Sequence, residues 1–185
     1  MKHPDPPEIQ PRLEMLEQMV ATWSRRLDLV SPRDLPRLYE RHIQDSLRAL
    51  PLVLEAPEGP CIDVGSGAGF PGVPLAIASG RVWRLLEPRA KRAAFLEEAV
   101  RELGLDRCEV IRMTSQEAAR RPDLAAAHAL ATARALAPPP AAAALCRPLV
   151  AAGGSIVVFV GVGAEIPPEA EETGRGLIRI QIDGS

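Results

Sequence analysis

Asp63-Val64-Gly65-Ser66-Gly67-Ala68-Gly69-Phe70-Pro71-Gly72 is the stretch that decides the fold of this 185-residue chain. Just before it, Cys61 to Val64 is a short apolar run of the kind that forms a buried strand. Just after it, Pro71 to Ser79 opens a helix. Glycines at a strand-to-helix junction let the backbone turn sharply and let a ligand lie against main-chain amides at the helix N-terminus. The next strand, Val82 to Leu86, is closed by an acid, Glu87, 22 positions after Gly65. A carboxylate there is placed to take ribose hydroxyls.

The spacing of the glycines separates two kinds of nucleotide site. The dinucleotide fingerprint G-x-G-x-x-G puts its third glycine three positions after the second. In this chain Phe70 holds that position and the glycine comes one residue early, at Gly69. Acid-x-Gly-x-Gly-x-Gly, with Asp63 as the acid, is the order of loops that bind S-adenosylmethionine. That cofactor has no pyrophosphate, so the loop need only clear space for its amino-acid end and ribose. Asp63, Gly67, Gly69 and Glu87 are thereby candidate cofactor contacts.

Outward from the loop, strands alternate with helices. Ala90 to Leu103 is an amphipathic helix stopped by Gly104. Glu109 to Met113, His128 to Thr132, Ser155 to Val160 and Leu177 to Ile182 read as further strands. The alternation predicts an α/β, Rossmann-like class I methyltransferase sheet over residues 56–185. Residues 1–55 read differently. After a loose MKHPDPP opening, Ile9, Leu13, Leu16, Val20, Trp23 and Leu27 recur at helical spacing, and a second helix follows Ser31-Pro32. This is an N-terminal helical cap.

Bulk properties exclude several classes. Hydrophobic residues at 46% and charged residues at 25% make an ordinary globular balance, and a net charge of −2 leaves nucleic acid only a local basic patch. Three scattered cysteines form neither a disulfide framework nor a zinc site, and no metal is expected. No run is long enough to cross a membrane and no signal peptide is evident, so the expected setting is a cytoplasmic monomer.

Several segments together resemble one family, the bacterial 16S ribosomal RNA guanine-N7 methyltransferases, also called the glucose-inhibited division protein B family. Trp23-Ser24-Arg25-Arg26-Leu27-Asp28-Leu29-Val30-Ser31 is similar to its W-N-x-x-x-N-L-T-S, and Arg41-His42-Ile43-Gln44-Asp45-Ser46 to its R-H-x-x-D-S. Asp63 to Leu75 resembles its loop, including the F-P-G-x-P-L continuation. Lys91-Arg92 with Phe95-Leu96, and Thr132-Ala133-Arg134-Ala135, resemble two further motifs. The likeness runs over about residues 20 to 160.

The resemblance implies S-adenosyl-L-methionine as cofactor and 16S rRNA or the small ribosomal subunit as partner. It further implies that Gly65, Phe70, Ser115, Gln116 and Arg134 contact the cofactor, with Arg134 over the reacting centre. The family carries an acid where Gln116 stands, which shifts the adenine contact toward Glu117. His42 and Asp45, three apart on one helix face, either form a dyad or tie the cap to the sheet along one wall of the cofactor entrance, and both are candidate substrate-binding residues. Arg25, Arg26, Arg33, Lys91, Arg92, Arg134 and Arg175 are candidate phosphate ligands. Guanine N7 presents an in-plane lone pair, so its methylation needs alignment and no strong base.

The chain also departs from that family. Glu87-Pro88-Arg89-Ala90 replaces L-D-S-x-G after the second strand, and Phe159-Val160-Gly161 replaces L-K-G after the fifth. The carboxyl end is short. The expected sheet therefore has six strands, with residues 162–174 a loop and a newly exposed edge. A small-molecule methyltransferase and a non-catalytic descendant are the alternatives these departures raise.

Overall fold

The computed structural model describes residues 6–174 and 176–183. α1 (Pro6–Trp23) begins inside the opening stretch expected to be loose, of which residues 1–5 lie outside the described residues. Prolines fit its first turn because the first helical amides have no intrahelical partner. The expected second helix is broken into pieces. A 3-10 turn (Leu35–Arg37) leads to a π-helical turn (Tyr39–Gln44), then α2 (Asp45–Leu47) and α3 (Leu50–Glu55). Pro36 and Pro51, each in the first two positions of its segment, lack the N–H that would continue a preceding helix. Arg81 then ties this region to the sheet by donating to the carbonyls of Val53, Ala56, Pro57 and Gly59.

Beyond it the chain alternates as expected. The elements are β1 (Cys61–Val64), α4 (Gly72–Ser79), β2 (Trp83–Leu86), α5 (Ala90–Glu102) and β3 (Cys108–Ile111). They continue through α6 (Ser115–Ala118), β4 (His128–Arg134), α7 (Pro139–Cys146), β5 (Val150–Phe159), β6 (Glu171–Gly174) and β7 (Leu177–Gln181). The sheet order is β3-β2-β1-β4-β5-β7-β6, with β1 to β5 parallel, β7 antiparallel to β5 and β6 antiparallel to β7. Strand order reverses between β1 and β4, and open α/β sheets bind ligands at the carboxyl ends of strands beside such a switch.

The expectation of six strands is thus corrected to seven. Residues 171–174, expected to be loop, form an edge strand on β7. A hairpin at Gly174 and Gly176 closes it, and an ion pair of 2.7 Å joins Glu171 to Arg179 across the pair. The newly exposed edge is therefore β6, not the strand beside β5. Glu171-Glu172-Thr173-Gly174 carries no apolar alternation because neither of its faces is covered. Charge on an edge strand discourages pairing with other chains.

Alternation along the strands sorts side chains to two cores. Cys61, Leu85, Leu130 and Val157 face α1, α4 and α5. Ile62, Leu86, Ala131 and Ile156 face α6 and α7. The first core also takes Leu13, Leu16 and Val20 of α1 and Ile43 of the π-helical turn, so the helical cap and the sheet share one interior. Phe95 is fully buried there, edge-to-face on Trp23 with ring centres 5.6 Å apart. All three cysteines are free, and burial pushes the thiols of Cys61 and Cys108 up to about 11 and about 12. They are unreactive packing groups.

Candidate functional site

Asp63 and Thr132 are directly opposed in the register of β1 and β4, on the face that carries α4. Both are buried, and the Thr132 hydroxyl donates to Asp63 Oδ1 at 2.7 Å. The other carboxylate oxygen accepts from the amide of Gly72, the first residue of α4, at 3.2 Å. A negative group at a helix N-terminus is favourable. Burial pushes the Asp63 carboxyl up from its ordinary range, and the Thr132 and Gly72 donors pull it back. Asp63 therefore braces the glycine loop from beneath and does not face the cavity above it.

That cavity, of about 280 Å³, lies over Gly65 to Ala68 and Phe70. It is closed by Leu29, Val30 and Ser31 of the cap, by His42 and Arg92, and by Arg134 and Ala135 at the end of β4. Gly69 has φ +89, and a Cβ there would stand 2.8 Å from Val73 Cγ2, so the loop can follow this path only with glycine. Ala135 also has positive φ, at 53°, an unusual state for a residue with a side chain. Such strain gathers at functional sites.

Arg134 organises the opposite wall. It donates to Asp45 Oδ2 at 3.2 Å, to the carbonyl of His42 at 3.4 Å and to His42 Nδ1 at 3.0 Å. Its guanidinium carbon lies 5.3 Å from the centre of the Phe70 ring and 5.9 Å from that of Phe159, within cation–π range. His42 in turn stacks on Phe70. A guanidinium has no acceptor, so His42 Nδ1 must accept and the ring proton sits on Nε2. Nε2 is buried, 3.5 Å from Asp34 Oδ2 and outside hydrogen-bond geometry. Burial and the charge of Arg134 lower the His42 pKa, so the ring is held neutral. Burial also lowers that of Arg134, and Asp45 offsets it.

Residues 9–175 match the family described as rRNA small subunit methyltransferase G. The chain belongs to that family. Methyltransferase G of Gluconobacter oxydans is 39% identical over 159 residues, covering 85% of this chain and 78% of that protein. The Granulibacter bethesdensis methyltransferase G is 49% identical over 90 residues, covering 49% of this chain but only 42% of its own length. Among solved structures, an RNA methyltransferase from Salinibacter ruber in complex with S-adenosyl-L-homocysteine superposes with a TM-score of 0.56 at 18% identity. That match covers 77% of this chain and 91% of the other, and it shows the class I fold expected from the glycine loop.

In this chain the residues singled out from sequence separate in space. Gly65, Gly67, Phe70, Arg92, Arg134 and His42 line one cavity, with Asp45 behind Arg134. Glu87 and Asp63 are beneath the loop. Glu87 is 4% exposed, and its carboxylate accepts from the amides of Gly67 and Arg89, both at 2.9 Å. Ser115 and Gln116 are in neither group. They line a separate hollow with Arg120 and Leu145, between α6 and α7. Lys91, Arg25, Arg26 and Arg33 are exposed, and Arg175 lies outside the described residues. Sequence reasoning missed Thr132 as the partner of Asp63, and Leu29 to Ser31 as the cavity's roof. A hydroxyl in an otherwise apolar strand was the available signal for the first.

Proposed function

We propose that this chain transfers a methyl group from S-adenosylmethionine to N7 of a guanosine in small-subunit rRNA. The cavity fits that cofactor. Gly65 and Gly67 present open backbone, the Phe70 ring gives an apolar surface, and the half-buried Arg134 cation is suited to a carboxylate. Gly65, Gly67, Gly69, Phe70 and Arg134 would hold it, with Glu87 fixing the loop. When bound, it supplies an electrophilic methyl on a sulfonium.

The observation that carries the acceptor is the state of the acids and bases around the cavity. His42 accepts from Arg134, and Asp45 is shared between Arg134 and Arg48, the latter at 2.5 Å. Asp63 and Glu87 are bonded to the loop backbone. Among the described residues, every acid or base beside the loop and Arg134 is thus engaged by an arginine, a hydroxyl or an amide. Such a site suits a nucleophile that needs no deprotonation, and guanine N7 is one.

RNA as the carrier of that guanine is supported by the rim. Arg25, Arg26, Arg33, Arg89 and Lys91, which flank in sequence the cavity residues Leu29 to Ser31 and Arg92, are exposed and, among the described residues, make no ion pair. Unpaired cations beside a cofactor cavity suit phosphates. The matched relatives carry the name ribosomal RNA small subunit methyltransferase G. Mass spectrometry of small-subunit rRNA from cells with and without the gene tests the reading. Loss of one 7-methylguanosine is expected, and an unchanged rRNA overturns it.

A further inference from the structure

Lys91 and Arg92 are successive residues at the start of α5, about 100° apart around the helix, and the structure gives them different surroundings. Lys91 is exposed and makes no ion pair. Arg92 is half-buried and turned into the cavity. Its Nη2 donates to the carbonyl of Asp28 at 2.8 Å, across 64 residues of sequence. Its Nη1 stands 3.5 Å from where a Cβ on Gly67 would lie. Gly67 is thus flanked from two directions, by Glu87 accepting its amide proton and by Arg92 on the side where a side chain would project.

The other end of the Arg92 bridge is the roof. Leu29, Val30 and Ser31 wall the cavity, yet among the described residues the backbone hydrogen bonds of this segment stay close by in sequence, Leu29 N–H to Leu27 O and Asp34 N–H to Ser31 O. Arg92 supplies a polar link from the roof to the sheet half, complementing the apolar contact of Trp23 on Phe95.

Building on the cofactor reading above, we infer that Arg92 is a positioning residue for the cofactor site and not a phosphate ligand. It fixes the Asp28–Ser31 roof at the correct height above Gly67. The Asp28 carbonyl already takes one of the five N–H donors of Arg92 and holds the guanidinium under the roof.

Calorimetry with S-adenosylhomocysteine and salt titration of binding to small-subunit rRNA test this together. If the wild-type chain does not bind S-adenosylhomocysteine, the cofactor reading fails before any variant is made. Given that binding, Arg92→Ala should weaken it by about tenfold, the worth of one charge-assisted hydrogen bond. The slope of log affinity for rRNA against log salt should stay at the wild-type value. Arg92→Lys, which reaches Asp28 O without covering Gly67, should recover part of the loss. Wild-type cofactor affinity in Arg92→Ala overturns the inference. So does a salt slope reduced by about one unit, which marks a lost phosphate contact. Should the alanine variant fail to fold, Arg92→Lys decides the matter. A severalfold rise in cofactor KM at unchanged kcat supports the inference, and an unchanged KM overturns it.

Discussion

Asp45 and Arg134 meet at 3.2 Å across 89 residues of chain, joining the end of the π-helical turn to the end of β4. Wide helical turns occur often at functional sites, and this one delivers both the carbonyl and the ring of His42 to the same guanidinium. The cap and the sheet are thereby locked together at the wall of the cavity.

Removing the counter-charge should therefore disturb folding and binding at once. Arg134 is 15% exposed and Asp45 29%, so the pair is shielded without being dry. Asp45→Ala is expected to destabilise the chain by about 2–3 kcal/mol in urea denaturation, below the range for a fully buried pair. Asp45→Asn, which keeps an acceptor, should lose less.

Thr132→Val keeps the shape of β4 and deletes one hydroxyl. Asp63 Oδ1 would then be buried without its donor, which costs about 1–3 kcal/mol. Because Asp63 also holds the Gly72 amide, cofactor affinity should fall with stability. Thr132→Ser, measured by the same denaturation and calorimetry, should restore both.

Gly72 and Gly104 should respond differently to alanine. A Cβ on Gly72 would stand 2.5 Å from Leu85 Cδ2 and 2.7 Å from Asp63 Oδ2. Gly72→Ala should cost about 3 kcal/mol or more, since it displaces a bonded carboxylate in a packed interior. Gly104, just past α5, has φ +59 and open space around its Cβ position. Gly104→Ala should cost only about 1–2 kcal/mol, from backbone strain alone. Thermal unfolding of the two variants checks the contrast.

Acid should weaken the fold through its histidines. His128 is fully buried, with Nδ1 2.7 Å from the Leu149 carbonyl and Nε2 3.1 Å from Arg84 Nη1. The neutral ring satisfies both contacts, and a second ring proton would face a cation. His42 is in the same position toward Arg134. Burial lowers both pKa values from the ordinary 6.5, and the neighbouring arginines lower them further. The folded state then binds fewer protons than the unfolded one. Stability is full above about pH 6.5 and falls as pH drops toward the lowered folded values, by up to about 1.4 kcal/mol per pH unit for each ring. Urea denaturation from pH 8 to 5 measures this, and His128→Gln should flatten part of the slope.

The glycine loop, the parallel strands and α5 were legible because their signals are local. Glycine spacing, apolar runs and a helix stop each act within a few residues. The parts that were missed depend on partners distant in sequence. β6 has no apolar face to betray it, being held by backbone pairing with β7. Glu87 was legible as an acid at the end of β2, whereas its bond to the Gly67 amide depends on the three-dimensional path of the loop. The broken second helix is a different case. Pro36 and Pro51 were visible in the sequence, and the helical spacing of the leucines around them masked the interruption. α6 was also within reach. Thr114 and Glu117 form a capping box, each side chain accepting the other's amide, in the T-x-x-E spacing such boxes require.

The hairpin of β6 and β7 sets a lower limit on how far this chain can be trimmed. The connection from β5, residues 160–170, holds no helix, so the fold tolerates a bare link there. The four residues that follow have a different role, since they pair with β7 along its outer edge. Without them β7 would end the sheet with its apolar Leu177, Ile178 and Ile180 beside an open row of amides and carbonyls, a template for a second chain. Glu171 and Glu172 put an acidic fringe on that boundary, where charge discourages a second chain from pairing.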